Sequence, residues 1–172
     1  MNIDEIYVSA CRGAFDRNTT MVRLVDWLEN VRPEHPRNDW EKKQLPAIMP
    51  HGLFATRRQD SFTKHSGLVH IDIDGKHQDH GFDVDKVIEG LSWWPSAVAV
   101  GKSCGGNGLY ALIVVHGINE DNYHKLAESI IEEIEIGEEV KCDAAVTMNL
   151  SGLRFASPYA PYINLDAIPY KL

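Results

Sequence analysis

Gly67-Leu68-Val69-His70-Ile71-Asp72-Ile73-Asp74-Gly75 is the stretch on which the reading of this chain turns. It is rich in β-branched residues, alternates in polarity and stops at Asp-Gly, a pattern that predicts a β-strand. Side chains at i and i+2 of a strand share a face. Asp72 and Asp74 therefore point one way, while Ile71 and Ile73 point to the core. The two carboxylates sit about 7 Å apart in Cα position and repel each other unless something neutralises them. A hard cation would do so. Mg²⁺ takes oxygen ligands, keeps waters and suits two aspartates plus the phosphates of a ligand. A second ion about 4 Å away would support in-line transfer at phosphorus. The competing reading is a strand that ends in an Asp-Gly turn and binds nothing.

Working outward, Ile3 to Ala10 predicts a first strand, and Thr19-Thr20 a cap for a helix reaching Asn30. Asp39 to Gln44 predicts a short polar helix, and Leu53 to Ala55 a short strand after the Pro50-His51-Gly52 turn. Arg57 to Ser66 is polar and basic, which predicts a loop. Beyond the acidic strand, Phe82 to Leu91 has helical spacing, and Ala97 to Val100 and Leu109 to Val115 are apolar strands around a glycine-rich turn. A helix follows through Ile136, with Tyr123, Leu126, Ile130 and Ile134 on its apolar face. Leu153 to Ala156 predicts a late strand. Hairpins mixed with helices imply an α+β fold, with helices on one face of a mostly antiparallel sheet.

Three further features carry chemistry. Gly101 to Gly108 offers backbone amides, the Ser103 hydroxyl, Asn107 and Lys102, which together suit phosphate. It is not a Walker A loop, since no four-residue spacer precedes the Gly-Lys-Ser and no helix follows. Its alternative reading is a plain hairpin, for which Asn107-Gly108 is a strong turn signal. Asp143 offers a third carboxylate, and Arg154 a guanidinium fork for phosphate; each taken alone is a commonplace surface residue. Arg57, Arg58 and Lys64 offer positive charge along which a phosphate backbone would track.

The bulk numbers bound these readings. A chain of 172 residues, 44% of them hydrophobic, suits a single domain able to bury a core. Cys11, Cys104 and Cys142 are far apart and show no metal or disulfide spacing. With no apolar leader and no long apolar run, the chain reads as cytoplasmic with reduced thiols and no membrane contact. The net charge of −8 argues against indiscriminate adhesion to nucleic acid. It is unevenly spread: residues 1–67 carry 10 Lys/Arg against 9 Asp/Glu, and residues 68–172 carry 7 against 16.

Taken in order, Ile71-Asp72-Ile73-Asp74-Gly75, Ser103 to Leu109, Cys142-Asp143 and Ser151-Gly152-Leu153-Arg154-Phe155 resemble the archaeo-eukaryotic primase and primase-polymerase superfamily. Leu45-Pro46-Ala47, His51-Gly52-Leu53-Phe54, His65-Ser66-Gly67 and Leu153 to Ser157 narrow the resemblance to the N-terminal domain of virulence-associated protein E of bacterial mobile elements. That resemblance implies a primase-polymerase-like fold in one domain, 1–172, with a smaller N-terminal α/β part over about 1–66 and an RRM-like catalytic part over 67–172. It implies Asp72, Asp74 and Asp143 as catalytic ligands of Mg²⁺ or Mn²⁺. Lys102, Ser103, Gly105, Gly106, Asn107, Tyr110 and Arg154 then contact the nucleotide phosphates, and Arg57, Arg58 and Lys64 the template. Tyr110 stands where that superfamily carries a histidine, and tyrosine has no positive charge at neutral pH. The expected function is a metal-dependent nucleotidyltransferase in replication of a mobile element. Its partners would be a nucleoside triphosphate, a DNA or RNA template and a helicase-like ATPase. The alternatives are an inactive nucleic-acid- or partner-binding module of the same fold and, third, a metal-dependent nuclease.

Overall fold

In the computed structural model, which describes residues 2–171, the chain begins with one 3₁₀ turn and then β1, Tyr7–Cys11. The next segment departs from expectation. Thr20–Arg23 is a strand, β2, antiparallel to β1, and only Leu24–Asn30 is helical (α1). Pairing with β1 outweighs the weak helical pattern there, because Thr20 and Val22 are β-branched and fit a pleated surface. Asp39–Gln44 forms α2 as expected, capped by the Asn38 side chain. β3 (Ala47–Met49) and β4 (Gly52–Phe54) follow. Phe62–His65, inside the stretch expected to be loop, is β5, hydrogen-bonded to β4 as a two-stranded ribbon.

The acidic stretch forms β6, Leu68–Ile73, and the next elements are α3 (Val84–Ser92), β7 (Ala97–Lys102), β8 (Leu109–Val114) and α4 (Tyr123–Glu138). Three short elements complete the chain: α5 (Ala144–Thr147), β9 (Arg154–Phe155) and β10 (Tyr162–Ile163). Neither α5 nor β10 has a sequence signal strong enough to be expected. One antiparallel sheet has the order β10-β7-β8-β6 and another the order β2-β1-β3-β9. The fold is α+β with mostly antiparallel sheets. β9 belongs to the second half of the sequence but pairs with β3, in register Ile48↔Arg154.

The two faces of β6 bury different cores. Val69, Ile71 and Ile73 pack with Val87, Leu91, Tyr123 and Ile130 beneath α3 and α4. Leu68 joins Val98, Tyr110, Leu112 and Val114 against Val8, Leu24, Trp27 and Ile48 of the other sheet and α1. A strand covered on both faces reads as a nearly continuous apolar run, which explains why only the end of β6 carries carboxylates. Cys11, Cys104 and Cys142 are free thiols. Among the described residues no helix is long and apolar enough to cross a membrane.

Candidate functional site

Asp72 lies on the inter-sheet face of β6, in the position of Leu68 and His70 four and two residues earlier. Those two are buried, but the sheets part at Asp72 and its side chain is half-buried. A cleft of about 220 Å³ opens there. Asp72, Ile73, Asp74 and Lys76 form one wall, and Ser103, Gly105, Asn107 and Gly108 of the β7–β8 turn form another. The third wall is Pro36 to Asp39 with Lys42, from α2 and the residues before it.

Close backbone approach builds the seam between the acidic strand and the turn. A Cβ on Gly75 would lie 1.9 Å from the Asn107 carbonyl oxygen, and one on Gly108 would lie 2.6 Å from the Ile73 carbonyl oxygen. Only glycine permits both contacts. The Ser103 amide donates to the Gly108 carbonyl (2.8 Å), and the Gly106 amide to the Ser103 carbonyl (2.9 Å). These two amides close the turn and are spent on it.

The carboxylates differ in what they already do. Asp74 accepts from the Lys76 amide (3.0 Å) and caps a short 3₁₀ turn. Asp143 is brought beside β6, where its amide donates to the Asp72 carbonyl (2.8 Å), but its carboxylate caps α5 by accepting from the Val146 amide (3.1 Å). Among the described residues the Asp72 carboxylate has no hydrogen-bond donor. Burial pushes the Asp72 carboxyl above the usual carboxylate range; the Arg154 charge pulls it down, and Asp143 and Asp74 push it further up. Among the described residues no group of three or more His, Cys, Asp and Glu side chains is placed to hold a metal ion. Asp72 and Asp74 face the cleft from one wall as a pair of carboxylates, with Asp39 on the third wall. That pair fits an ion such as Mg²⁺, which keeps several waters or takes oxygens from its ligand.

Several residues expected at the site lie elsewhere. The Lys102 ammonium pairs with Asp85 of α3 at 2.8 Å, on the helix side of the sheet. Tyr110 is buried at 2% exposure opposite Asp72. Arg154 is buried too: Nη2 donates to the Lys102 carbonyl (3.2 Å), Nη1 to the Phe155 carbonyl, and the guanidinium lies 3.6 Å from the Tyr110 ring centre. Arg57 is half-buried, Arg58 pairs with Asp60 at 2.6 Å, and Lys64 lies on β5; none of the three lines the cleft. Gly106 is covered by the Tyr159 hydroxyl, which meets His35 Nε2 at 3.0 Å. The residues that sequence reasoning missed are Arg37, Asp39, Lys42 and Lys76. The Asn38 cap marks the helix that carries two of them, but nothing local marks what that helix packs against.

Residues 40–146 match the family described as BT4734-like, N-terminal domain. The match covers more than half of the chain. The chain belongs to that family. It is a different family from the N-terminal domain of virulence-associated protein E, so the narrower resemblance is corrected here, and the primase and replication vocabulary attached to it falls as well. No curated protein and no solved structure matches the chain. The region shared with the BT4734-like family holds α2 after Asp39, Asp72 and Asp74, the glycine turn and Asp143. It ends before Arg154.

A buried polar cluster lies behind the cleft. His51 Nε2 meets the Tyr123 hydroxyl at 2.8 Å and accepts from the His70 amide at 3.3 Å, and the same hydroxyl donates to the Thr147 carbonyl. Burial pushes the His51 imidazole down to about 4, opposed by its contact with the Leu150 carbonyl. His70 is driven well below its ordinary value by burial, with His51 and Arg154 adding to the effect.

Proposed function

We propose that this cleft binds a phosphorylated ligand of the nucleotide class through a divalent cation, Mg²⁺ or Mn²⁺, and that transfer at phosphorus is the chemistry it serves. One observation carries the reading. Asp72 is a half-buried carboxylate without a hydrogen-bond donor, and it opens onto the same cleft as Asp74, Lys42, Lys76 and the glycine turn. A desolvated carboxylate calls for a cation, and lysines beside it call for an anion. A cation-bound phosphate satisfies both.

The roles follow from position. Asp72 and Asp74 supply the oxygen ligands. Lys42 and Lys76, both exposed, offset phosphate charge. Ser103 and Asn107 orient the ligand, and the wall before α2 narrows the solvent path. When bound, the cation neutralises charge at phosphorus. Mn²⁺ titration followed by electron paramagnetic resonance, with and without ATP, tests the reading. The expected result is ATP-enhanced Mn²⁺ binding that is lost in Asp72→Asn and weakened in Asp74→Asn. Wild-type protein that binds neither Mn²⁺ nor Mn²⁺-ATP overturns it.

A second reading is favoured by the engagement of Asp143 in capping α5. With Asp143 held in that cap and not presented as a third ligand beside Asp72 and Asp74, the domain would bind such a ligand without transforming it. Turnover separates the two readings: release of phosphate or pyrophosphate supports the first, and binding without product supports the second.

A further inference from the structure

We infer that Arg154 is a positioning residue that pins the three walls of the cleft to one another, and is not a ligand for phosphate. This rests on the reading of the cleft given above and adds a role to a side chain outside it.

The argument starts from what the guanidinium touches. Both terminal nitrogens already donate, Nη2 to the Lys102 carbonyl and Nη1 to the Phe155 carbonyl. With 5% exposure and no place among the residues that line the cleft, the guanidinium presents no fork to a phosphate there. Each contact instead leads to a wall. Lys102 is the last residue of β7 and directly precedes Ser103, so its carbonyl is the root of the glycine turn. Tyr110, beneath the guanidinium, is the residue paired with Asp72 across β6 and β8. The backbone of Arg154 pairs with Ile48, and the amide of Ala156 donates to the Pro46 carbonyl (2.7 Å), which ties β9 to the chain leaving α2. One side chain and its strand thus meet the turn, the partner of the acidic strand and the support of α2.

Core stability does not explain an arginine at this place. Its Nε has no hydrogen-bond partner, and no carboxylate is within ion-pair distance of it among the described residues. A buried cation in that state is costly, and an apolar side chain of similar length would fill the space at no loss, or with a gain, in stability. What methionine would not supply is a planar group that bonds the root of the turn while lying against Tyr110.

The test uses the whole domain as wild type, Arg154→Met and Arg154→Lys, with three measurements on each. Thermal unfolding is expected to leave Arg154→Met folded, with a melting temperature at or above that of the wild type. Amide chemical shifts of Gly105, Gly106 and Asn107, recorded without ligand, are expected to move and broaden in Arg154→Met and to move less in Arg154→Lys. Mn²⁺-ATP affinity is expected to fall by about ten- to a hundredfold in Arg154→Met, the range for residues that orient metal ligands, and to be partly restored in Arg154→Lys. Unchanged turn resonances in a folded Arg154→Met protein overturn the inference, whatever the ligand turns out to be. Normal turn resonances with lost affinity overturn it in favour of direct phosphate contact. If the wild type binds no Mn²⁺-ATP, the reading of the cleft fails, while the turn resonances still decide the role of Arg154. If Arg154→Met does not fold, the same shifts in Arg154→Lys decide it.

Discussion

Alanine at Gly75 and alanine at Gly105 should act in opposite directions, although Gly75 lies in the seam between Asp74 and Lys76 of one cleft wall and Gly105 lies in another. A Cβ on Gly75 would stand 1.9 Å from the Asn107 carbonyl oxygen and 3.1 Å from its carbonyl carbon. Carbon and oxygen in ordinary contact lie about 3.3 Å apart or more, so the turn must retreat by about 1.4 Å. It has no easy way to do so, because Gly108 is pressed against the Ile73 carbonyl and the Ser103 amide is bonded to the Gly108 carbonyl. Forcing an extra methyl into a packed seam costs about 1–3 kcal/mol. At about 2–4 °C per kcal/mol for a domain of this size, a loss of about 2 kcal/mol lowers the melting temperature by roughly 4–8 °C. At Gly105 a Cβ meets nothing within 4 Å, and its φ is not in the left-handed range. There alanine only restricts the unfolded chain and adds about 0.4–1 kcal/mol. The two variants should therefore differ by about 2–3 kcal/mol in urea unfolding followed by far-ultraviolet circular dichroism. Gly75→Ala should also lose Mn²⁺-ATP affinity, since it drives Asn107 away from Asp74. Variants within about 0.5 kcal/mol of each other would refute the close approach and, with it, the account of how the turn is held against the acidic strand.

Acid should destabilise the domain well before its carboxylates titrate. His51 falls from 6.5 in the open chain to about 4 when folded, so the unfolded chain takes up the proton first. Its contribution is complete above about pH 6.5 and is lost as pH falls towards 4, approaching about 3 kcal/mol at 1.4 kcal/mol per unit. His65 and His70 are shifted in the same direction. Urea midpoints measured down to about pH 4.5 should fall steeply in wild type and less steeply in His51→Gln; a flat wild-type profile would refute the burial of this cluster. Tyr123→Phe removes the hydroxyl shared by Thr147 and His51 and should cost about 1–3 kcal/mol in the same unfolding assay. Lys102→Met should leave Mn²⁺-ATP affinity unchanged, because its ammonium is engaged with Asp85 on the far side of the sheet; a loss of affinity would return that lysine to the phosphate site.

The elements legible in the sequence are those whose pattern is local and strong. β6, β8, α3 and α4 each bury a periodic set of apolar residues, and those periods survive in the fold. β2, β5 and β10 exist because another strand offers hydrogen bonds, and a run such as Thr20-Met21-Val22-Arg23 does not reveal that partner; β9 was expected as a strand from Leu153 to Ala156, but its pairing with β3 was not. The site divides along the same line. Asp72, Asp74 and the glycine turn could be named because strand alternation and a tight turn bring them together with little help from the rest of the fold. Lys42 and Arg37 could not, since they reach the cleft by the packing of α2. Arg154 was legible as a cation but not as a buried one. The motifs that suggested a primase relative are short, and their residue types answer to geometry: an aspartate ending a strand and glycines closing a hairpin recur wherever those shapes do. Over the longer span of 40–146 the match is to the BT4734-like family instead. The acidic strand also acquires a different meaning in three dimensions. Its aspartate face is not a solvent face but the inner face of a two-sheet stack, and it opens only at its last turn of alternation. A site at such an opening depends on how the second sheet sits over it; the core around Val8, Leu24, Trp27 and Ile48 sets that placement, and β9 and α2 are what it presents to the glycine turn and the cleft. The residues most able to abolish ligand binding without touching the ligand should therefore lie in those two elements, and Arg154, which bonds β9 to the root of the glycine turn, is the foremost of them.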